Sequence, residues 1–175
     1  MWIWEFSEIK KYFLLLLTMF TETKQFFLQT KLTRKDAEDL VCVVMYLTML
    51  PLILTVIMIP LLLLVPLIAW VSRTLFELVF GIISSMVGLR VKDAQTLWAL
   101  SYAPYVFAIL AVTQPIASIA SLVAFVYLLV ERYKATGGQV LLFIVLAMVL
   151  GLVIASLFVV PFILVYGMAW VMAFI

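Results

Sequence analysis

The chain has 175 residues, of which 68% are hydrophobic and 11% are charged, and its formal net charge is +2. An average soluble domain has roughly 45–50% apolar and about 25% charged residues, so the composition excludes an ordinary water-soluble fold and indicates an integral membrane protein. The sequence has no histidine and one cysteine, Cys42, which excludes Ser-His-Asp catalysis, histidine-ligated metals and an intrachain disulfide. We therefore expect no cofactor and no metal, and the small net charge gives no argument for nucleic acid.

Residues 1–39 are expected to form an amphipathic N-terminal segment. Its apolar residues follow helical spacing: Trp2, Phe6, Ile9, Phe13, Leu16, Leu17 and Phe20. Two arrangements fit this pattern, a helix lying in the membrane interface and a first helix packed against the bundle. Thr33 and Asp36 have the spacing of a capping box, which predicts a helix start before the first span. Asp36, Glu38 and Asp39 cluster before the first span, and we expect all three to be solvated at that helix N-terminus.

Residues 40–175 are expected to form a transmembrane helical domain, because a span needs about 20 apolar residues and long charge-free runs dominate this part of the chain. Pro60 or Pro66 separates the first two spans, since proline ends or kinks a helix. The charged residues 90–93 follow the second span, and Pro115 suits the first turn of the fourth. The expected spans are 40–59, 63–88, 95–113, 115–131 and 139–160.

The last part of the chain allows more than one arrangement. The Gly137–Gly138 pair predicts a helix stop and a turn before the fifth span. Pro161 breaks or kinks that span, and residues 162–175 form its continuation, an interfacial segment or a sixth short helix. The expected fold class is all-α, a polytopic membrane protein with about five transmembrane helices after an amphipathic interfacial helix.

The distribution of lysine and arginine predicts the orientation. Ten of the eleven positive residues fall on one side of the five-span arrangement: Lys10, Lys11, Lys24, Lys31, Arg34, Lys35, Arg90, Lys92, Arg132 and Lys134. Positive residues collect on the cytoplasmic side of membrane proteins. We therefore expect a multi-pass protein of the cell membrane with a cytoplasmic N-terminus, whose basic loops contact anionic lipid headgroups.

Arg73 and Glu77 form a charged pair within the second span. Charges inside a membrane are costly and by default indicate function. The i, i+4 spacing places both on one helix face, where each neutralises the other. The functional interpretation is an ion or substrate path, or a contact to a partner helix. The alternative is a self-satisfied pair that sets the rotation of the helix.

A second polar region is expected where Pro104 interrupts the third span and frees a backbone carbonyl. Ser101, Tyr102 and Tyr105 lie beside this proline in the sequence, and Gln114 precedes the fourth span. These side chains either line a polar pocket or belong to a kinked core that is hydrogen-bonded internally. The segment is the most polar part of the predicted intramembrane region.

Small residues spaced four apart let helices approach closely within lipid. The predicted spans contain five such pairs: Gly81 and Ser85, Ser84 and Gly88, Ala117 and Ser121, Ala120 and Ala124, and Gly151 and Ala155. These pairs pack helices either within this chain or against a partner. The expected partners are the lipid bilayer together with a second copy of the chain or other membrane proteins.

Four sequence features occur in a recognisable order. An aromatic pair ends the stretch Phe20–Phe27, and a turn containing glycine follows the second span at residues 88–90. The stretch Trp98–Tyr105 opens the third span, and a short charged loop, residues 131–138, precedes the last. In these features the sequence resembles the prokaryotic branch of the Yip family, small five-span proteins named for interaction with Ypt/Rab GTPases in eukaryotes.

The resemblance implies a non-enzymatic membrane protein that organises membranes or assists other membrane proteins. Tyr102 and Pro104 match positions of the family's Tyr-Ala-x-x-Pro-like pattern, whose role looks structural. The long acidic N-terminal domain and the Asp-Leu-Tyr-Gly-Pro type motif of eukaryotic members are absent, so Rab binding is not carried over. The alternative function is a component of a small-solute transporter, similar to the substrate-binding subunits of vitamin-uptake ABC systems.

Overall fold

The structure is a computed structural model. It describes the backbone of residues 6–49, 59–109, 113–153 and 156, and side chains within these ranges from residue 9 onward except those at 59–61 and 109. The described residues fold into helices joined by turns, without a strand, which confirms the expected all-α class.

In this part of the chain the α-helices are α1 (Phe6–Thr21), α2 (Thr23–Gln29), α3 (Arg34–Met49), α4 (Ile59–Val87), α5 (Ala94–Tyr102), α6 (Gln114–Tyr127) and α7 (Gly137–Val153). A 3₁₀ helix, Ala103–Ile109, continues α5, and a π-helical turn, Leu128–Arg132, continues α6. The change from α to 3₁₀ geometry falls next to Pro104, which lacks the N–H that an α-helix requires there.

Helix α1 has apolar residues on two sides. Tyr12, Leu16 and Met19 are buried against the rest of the chain, at the spacing of one helix face. Five further apolar side chains of this helix are exposed: Ile9, Phe13, Leu14, Leu17 and Phe20. The N-terminal segment therefore packs on the bundle, which is one of the two expected arrangements, and also presents an apolar face outward.

Helix α3 begins at the predicted capping box and then runs antiparallel to α4. The amide of Asp36 donates to Thr33 Oγ1 at 3.2 Å, and the amide of Thr33 donates to Asp36 Oδ2 at 3.4 Å. Near the other end of α3, the hydroxyl of Tyr46 donates to the carbonyl of Leu62 at 3.1 Å. The first residues of α3 consequently lie beside the middle of α4.

Helix α4 ends in a Schellman motif, which explains one of the glycines. Gly88 has φ +75°, a conformation that costs glycine little. The amide of Leu89 donates to the carbonyl of Ser84 at 2.8 Å, and the amide of Gly88 donates to the carbonyl of Ser85 at 3.4 Å. These are the two hydrogen bonds that close such a helix end.

Four phenylalanines join α4, α6 and α7. The ring of Phe80 lies 5.0 Å from that of Phe143 and 6.5 Å from that of Phe125, and Phe76 stacks on Phe80 at 5.4 Å. Phe80 and Phe143 are buried. Aromatic pairs at these separations contribute about 0.5–1.5 kcal/mol each beyond the area that they bury, so this cluster is a main contact among the three helices.

The start of α7 corrects one expectation. Gly137 and Gly138 are the first residues of this helix, so the prediction that they form a helix stop and turn is wrong. The amide of Gln139 donates to Thr136 Oγ1 at 3.4 Å, and the amide of Thr136 donates to Gln139 Oε1 at 3.0 Å. This capping box satisfies helix N–H groups and allows the helix to begin at the glycines, while the preceding turn contains Lys134 at φ +56°.

Two stretches in the described residues, Leu62–Val87 and Gln114–Arg132, are long and apolar enough to cross a membrane, and α7 is apolar but shorter. These two stretches correspond to the predicted second and fourth spans. The third predicted span is divided between α5 and the 3₁₀ helix. The first and fifth predicted spans lie partly outside the described residues, and residues 162–175 lie wholly outside them, so the five-span topology stays a prediction.

Candidate functional site

Arg73 is the centre of a buried charge cluster. Its Nε donates to Glu38 Oε1 at 2.6 Å, and its NH1 donates to Glu77 Oε1 at 2.7 Å. At the outer edge of the cluster, Arg34 NH2 lies 3.5 Å from Glu77 Oε2. Arg73 and Glu38 are each 8% exposed. The four side chains carry two positive and two negative charges, so the cluster is neutral as a whole.

The cluster contains the predicted Arg73–Glu77 pair and adds a partner from α3. The expectation that Glu38 and Asp39 are solvated is wrong, because they are only 8% and 2% exposed. Glu38 and Asp39 face neighbouring helices instead of water: Glu38 pairs with Arg73 of α4, and Asp39 accepts from the hydroxyl of Tyr12 of α1 at 3.4 Å. The Glu38–Arg73 ion pair joins residues 35 positions apart in the sequence, so it fixes the register between α3 and α4.

A second set of polar contacts joins α1 to the start of α3. Lys11 Nζ and the hydroxyl of Tyr12 each donate to Asp36 Oδ1 at 2.7 Å. Burial opposes ionisation of Asp36, but hydrogen bonds from Lys11, Thr33 and Tyr12 outweigh it and hold the pKa of this carboxyl well below its usual range. Burial and the neighbouring carboxylates raise the pKa of Tyr12, so its hydroxyl remains a donor.

The structure brings together most of the second predicted polar region. The rings of Tyr102 and Tyr105 stack at 4.7 Å, and the hydroxyl of Tyr105 lies 3.1 Å from Ser118 Oγ. Ser121 Oγ donates to the carbonyl of Ser101 at 2.6 Å. These bonds connect the α5–3₁₀ segment with α6, so these polar groups are engaged with one another.

Pro104 and Gln114 lie at the borders of this region. Pro104 is buried and faces an apolar cavity of about 360 Å³ that is also lined by Phe20, Phe27 and Phe107. Gln114 is exposed at the first residue of α6, where its backbone carbonyl accepts a hydrogen bond from Ser118. Gln114 is therefore linked to the tyrosine pair through its backbone carbonyl and Ser118 Oγ.

The predicted small-residue pairs occupy different environments. Ala124 is 6% exposed and packs within the chain, and Ala120 is partly buried. Gly81 and Ser85 are exposed on α4, and a Cβ placed at Gly81 would meet no atom within 4 Å. Of the remaining members, Ser84 and Ala117 are buried and Ser121 is partly buried. Gly88 closes α4, Gly151 is exposed, and Ala155 lies outside the described residues.

A basic cavity of about 630 Å³ lies where the α2–α3 linker, the α4–α5 loop and the end of α6 meet. The charged side chains and the tyrosine that line it come from all three segments: Lys31, Arg90, Lys92, Asp93, Arg132 and Tyr133. The expectation that basic residues of the N-terminal segment and of two loops share one side fits this arrangement. We use the name basic cavity for these six residues.

Arg132 connects the three segments around the basic cavity through hydrogen bonds. Its NH1 donates to the carbonyls of Phe27 at 3.2 Å and Thr30 at 2.6 Å, and its NH2 donates to Asp93 Oδ2 at 2.8 Å. The hydroxyl of Tyr133 donates to Asp93 Oδ1 at 2.9 Å. Burial and the bond to Asp93 raise the pKa of Tyr133.

Sequence reasoning did not find Glu38 or the basic cavity as sites. Glu38 follows a capping box, and that local pattern favours a solvated helix end. The cavity combines residues separated by as many as 100 positions, which no local spacing reveals. The excess of lysine and arginine in the three segments was the available signal, because positive loops on one side of a bundle lie close together.

The described residues contain no group of three or more acidic or cysteine side chains that could hold a metal ion. No protein-family model, curated protein or solved structure matches this chain.

Proposed function

We propose that this chain is a multi-pass integral membrane protein that acts as a scaffold or interaction protein, as the resemblance to the prokaryotic Yip branch implies. The observation that carries the proposal is an inverted distribution of side chains. Large apolar residues of α4, α6 and α7 are exposed, while Glu38 and Arg73 are buried and paired. In lipid, apolar side chains face outward and charged groups face one another inside.

Exposed large apolar side chains occur along the described length of α4, α6 and α7. Leu63 is 80% exposed and Leu152 is 70% exposed. The most exposed members on α4, α6 and α7 are Leu63, Leu67, Leu75, Leu78, Met86, Ile116, Ile119, Leu122, Val123, Leu141, Met148 and Leu152. Soluble monomers rarely expose contiguous apolar patches larger than a few hundred Å², so this surface favours a lipid environment.

The sizes of the helices agree with a bilayer. The 19 residues from Gln114 to Arg132 extend about 28 Å at 1.5 Å per residue, close to the roughly 30 Å hydrocarbon core. The Leu62–Val87 stretch is longer and requires a tilt. The meeting of three basic segments at one cavity supports their common cytoplasmic side and a cytoplasmic N-terminus.

The buried charge cluster favours a structural role over a solute path. Arg73 engages both Glu38 and Glu77 at 2.7 Å or less, so these charges satisfy one another. A transporter site would need groups that remain available to a solute. The exposed Gly81–Ser85 face on α4 is instead suited to close approach of a partner helix, either a second copy or another membrane protein.

The topology can be tested by cysteine labelling, because the chain has one cysteine and Cys42 is buried. Single cysteines are placed at the exposed positions Lys10, Lys134 and Gln114 in a Cys42→Ala background. Sealed vesicles of known sidedness are treated with a maleimide that cannot cross the membrane. We expect positions 10 and 134 to react from the cytoplasmic side and position 114 from the opposite side.

Labelling of all three positions from both sides would contradict membrane insertion. Labelling of positions 114 and 134 from the same side would contradict α6 as a span. Cys42 in the otherwise unchanged chain provides the control, since a buried thiol in an intact fold is expected to react only after denaturation.

A further inference from the structure

The basic cavity has an excess of positive charge that the protein does not neutralise. Asp93 is the carboxylate in its lining, and it is already held by Arg132 at 2.8 Å and by Tyr133 at 2.9 Å. Lys31, Arg90 and Lys92 are exposed. Within the described ranges, these three side chains form no ion pair or hydrogen bond. The cavity therefore presents three free cations around a space of about 630 Å³.

The surrounding bonds fix where these cations lie. Arg132 holds the carbonyl of Thr30, next to Lys31, at 2.6 Å, and the carboxylate of Asp93, next to Lys92, at 2.8 Å. Its side chain is 9% exposed, so this link is shielded from water. Cations carried by two distant segments are thus held around one cavity before any ligand binds, which reduces the ordering cost of binding.

We propose that the basic cavity binds a phosphate-bearing anion, either the headgroup of an anionic phospholipid or a soluble phosphate ester. Lysine and arginine donate charge-assisted hydrogen bonds to phosphate oxygens. Basic pockets between transmembrane helices on the cytoplasmic side bind phospholipid headgroups in this way. The lipid source rests on the proposed membrane insertion, whereas the charge and shape of the cavity do not depend on it.

The test is a titration of the full chain in mild detergent, followed by native mass spectrometry. The probes are dioleoyl-phosphatidylglycerol, dioleoyl-phosphatidylcholine and glycerol 3-phosphate. Phosphatidylcholine has the same phosphate with a compensating choline cation. We expect phosphatidylglycerol to bind at least about tenfold more tightly than phosphatidylcholine, since each lysine or arginine near an anionic lipid contributes about fivefold in affinity.

Two double variants with equal charge change provide the comparison. Arg90→Gln with Lys92→Gln removes two cations of the cavity, and Lys10→Gln with Lys24→Gln removes two exposed cations elsewhere. We expect the cavity variant to lose about tenfold or more in affinity for phosphatidylglycerol, and the control variant to remain within about twofold. Lys31→Gln, which changes the other segment that carries a free cation, provides an independent test if the first variant folds poorly.

Each outcome has a defined meaning. Competition by glycerol 3-phosphate at concentrations similar to the lipid, lost in the cavity variant, supports the site and assigns it to a soluble ester. Equal binding of the two lipids without binding of glycerol 3-phosphate, or equal losses in both double variants, overturns the proposal. Cysteine labelling separates the two failures, because a chain that inserts without binding any phosphate probe loses only this inference.

Discussion

Arg73 donates to Glu38 and Glu77 at 2.6 and 2.7 Å, and all three side chains are largely shielded from water. Replacing Arg73 by methionine removes the cation paired with the buried Glu38 and leaves Glu77 with the exposed Arg34, 3.5 Å from its Oε2. Breaking a buried ion pair by removing one partner typically destabilises by about 3–5 kcal/mol. We therefore expect Arg73→Met to lower the unfolding temperature strongly, measured by thermal unfolding of the purified chain in detergent.

The matching controls separate charge from packing. The triple variant Glu38→Gln, Arg73→Met, Glu77→Gln removes all three charges, and we expect it to recover most of the lost stability. Arg90→Met changes an exposed arginine and should stay within about 0.5 kcal/mol of the original chain. If Arg73→Met unfolds at the original temperature, the cluster does not stabilise the fold. A triple variant that is stable but fails to assemble would support the functional interpretation of the pair.

The ionised carboxylate of Asp36 makes the stability of the folded chain depend on pH. Its pKa is held below the ordinary value of 3.8: burial acts against this shift, and hydrogen bonds from Lys11, Thr33 and Tyr12 produce it. A depressed carboxyl pKa contributes stability above the ordinary value, and the contribution is lost as the pH falls below it towards the folded-state pKa. We expect Asp36→Asn to unfold at a lower temperature near pH 7 and the difference to shrink between about pH 4 and pH 2.

The measurement is the unfolding temperature of both chains across that pH range. Glu131→Gln, at an exposed position, is the control and should give a constant difference. A pH-independent gap between wild type and Asp36→Asn would show that the effect of Asp36 is not due to its charge.

At the scale of elements, alanine is expected to have opposite effects on stability at two glycines, Gly81 within α4 and Gly88 directly after it. Gly88 has φ +75°, where a Cβ costs about 1–2 kcal/mol, so Gly88→Ala should destabilise the chain by about that amount. Gly81 lies within the helix with nothing near its Cβ position, so Gly81→Ala should stabilise by about 0.5–1 kcal/mol. Thermal unfolding of both variants beside the original chain tests the pair.

Whether Gly81→Ala stabilises or destabilises the chain also indicates whether Gly81 lies in a contact between chains. The expected gain applies when the position faces detergent or lipid. A loss of stability in Gly81→Ala, accompanied by dissociation of a larger species on size-exclusion chromatography, would place this glycine in a contact between helices of different chains. If Gly81→Ala and Gly88→Ala both destabilise the chain and no larger species dissociates, Gly81 is not an open helix position.

Elements with strong local signals were predictable from the sequence. The α4 and α6 stretches follow from long, largely apolar runs, the α3 start from Thr33 and Asp36, and the α6 start from Pro115. The division between α5 and the 3₁₀ helix was not predicted in detail, since the proline indicates a break without its geometry. The start of α7 was predicted wrongly, because the glycines indicated a helix stop and the capping box formed by Thr136 and Gln139 was not considered.

At the scale of the whole molecule, the sites depend on contacts that cross the sequence. The spacing of Arg73 and Glu77 within one helix revealed their pair, whereas Glu38 joins it only through the packing of α3 on α4. The basic cavity needs three segments in their final places. In this chain, local pattern predicts the helices and the Arg73–Glu77 pair, whereas the complete candidate sites follow only from the tertiary structure.

One substitution distinguishes an outer surface that faces lipid from one that faces water, because its free-energy cost differs between the two environments. Leu75 lies in the Leu62–Val87 stretch and is 58% exposed. On a helix face in water, Leu75→Lys should change stability by no more than about 0.5 kcal/mol. At the centre of a transmembrane helix, lysine costs about 2.5–3.5 kcal/mol, so we expect insertion of the full chain to fall severalfold.

The amount of chain retained in membranes after an alkaline carbonate wash measures this effect. Leu75→Ala controls for loss of the leucine, and Met86→Lys controls for the lysine, because a lysine near the helix end can extend its ammonium group to the headgroups. We expect both controls to insert nearly as well as the original chain. Equal retention of Leu75→Lys and Leu75→Ala would contradict a lipid-facing α4, since only a lipid environment makes an outward lysine more costly than an outward alanine.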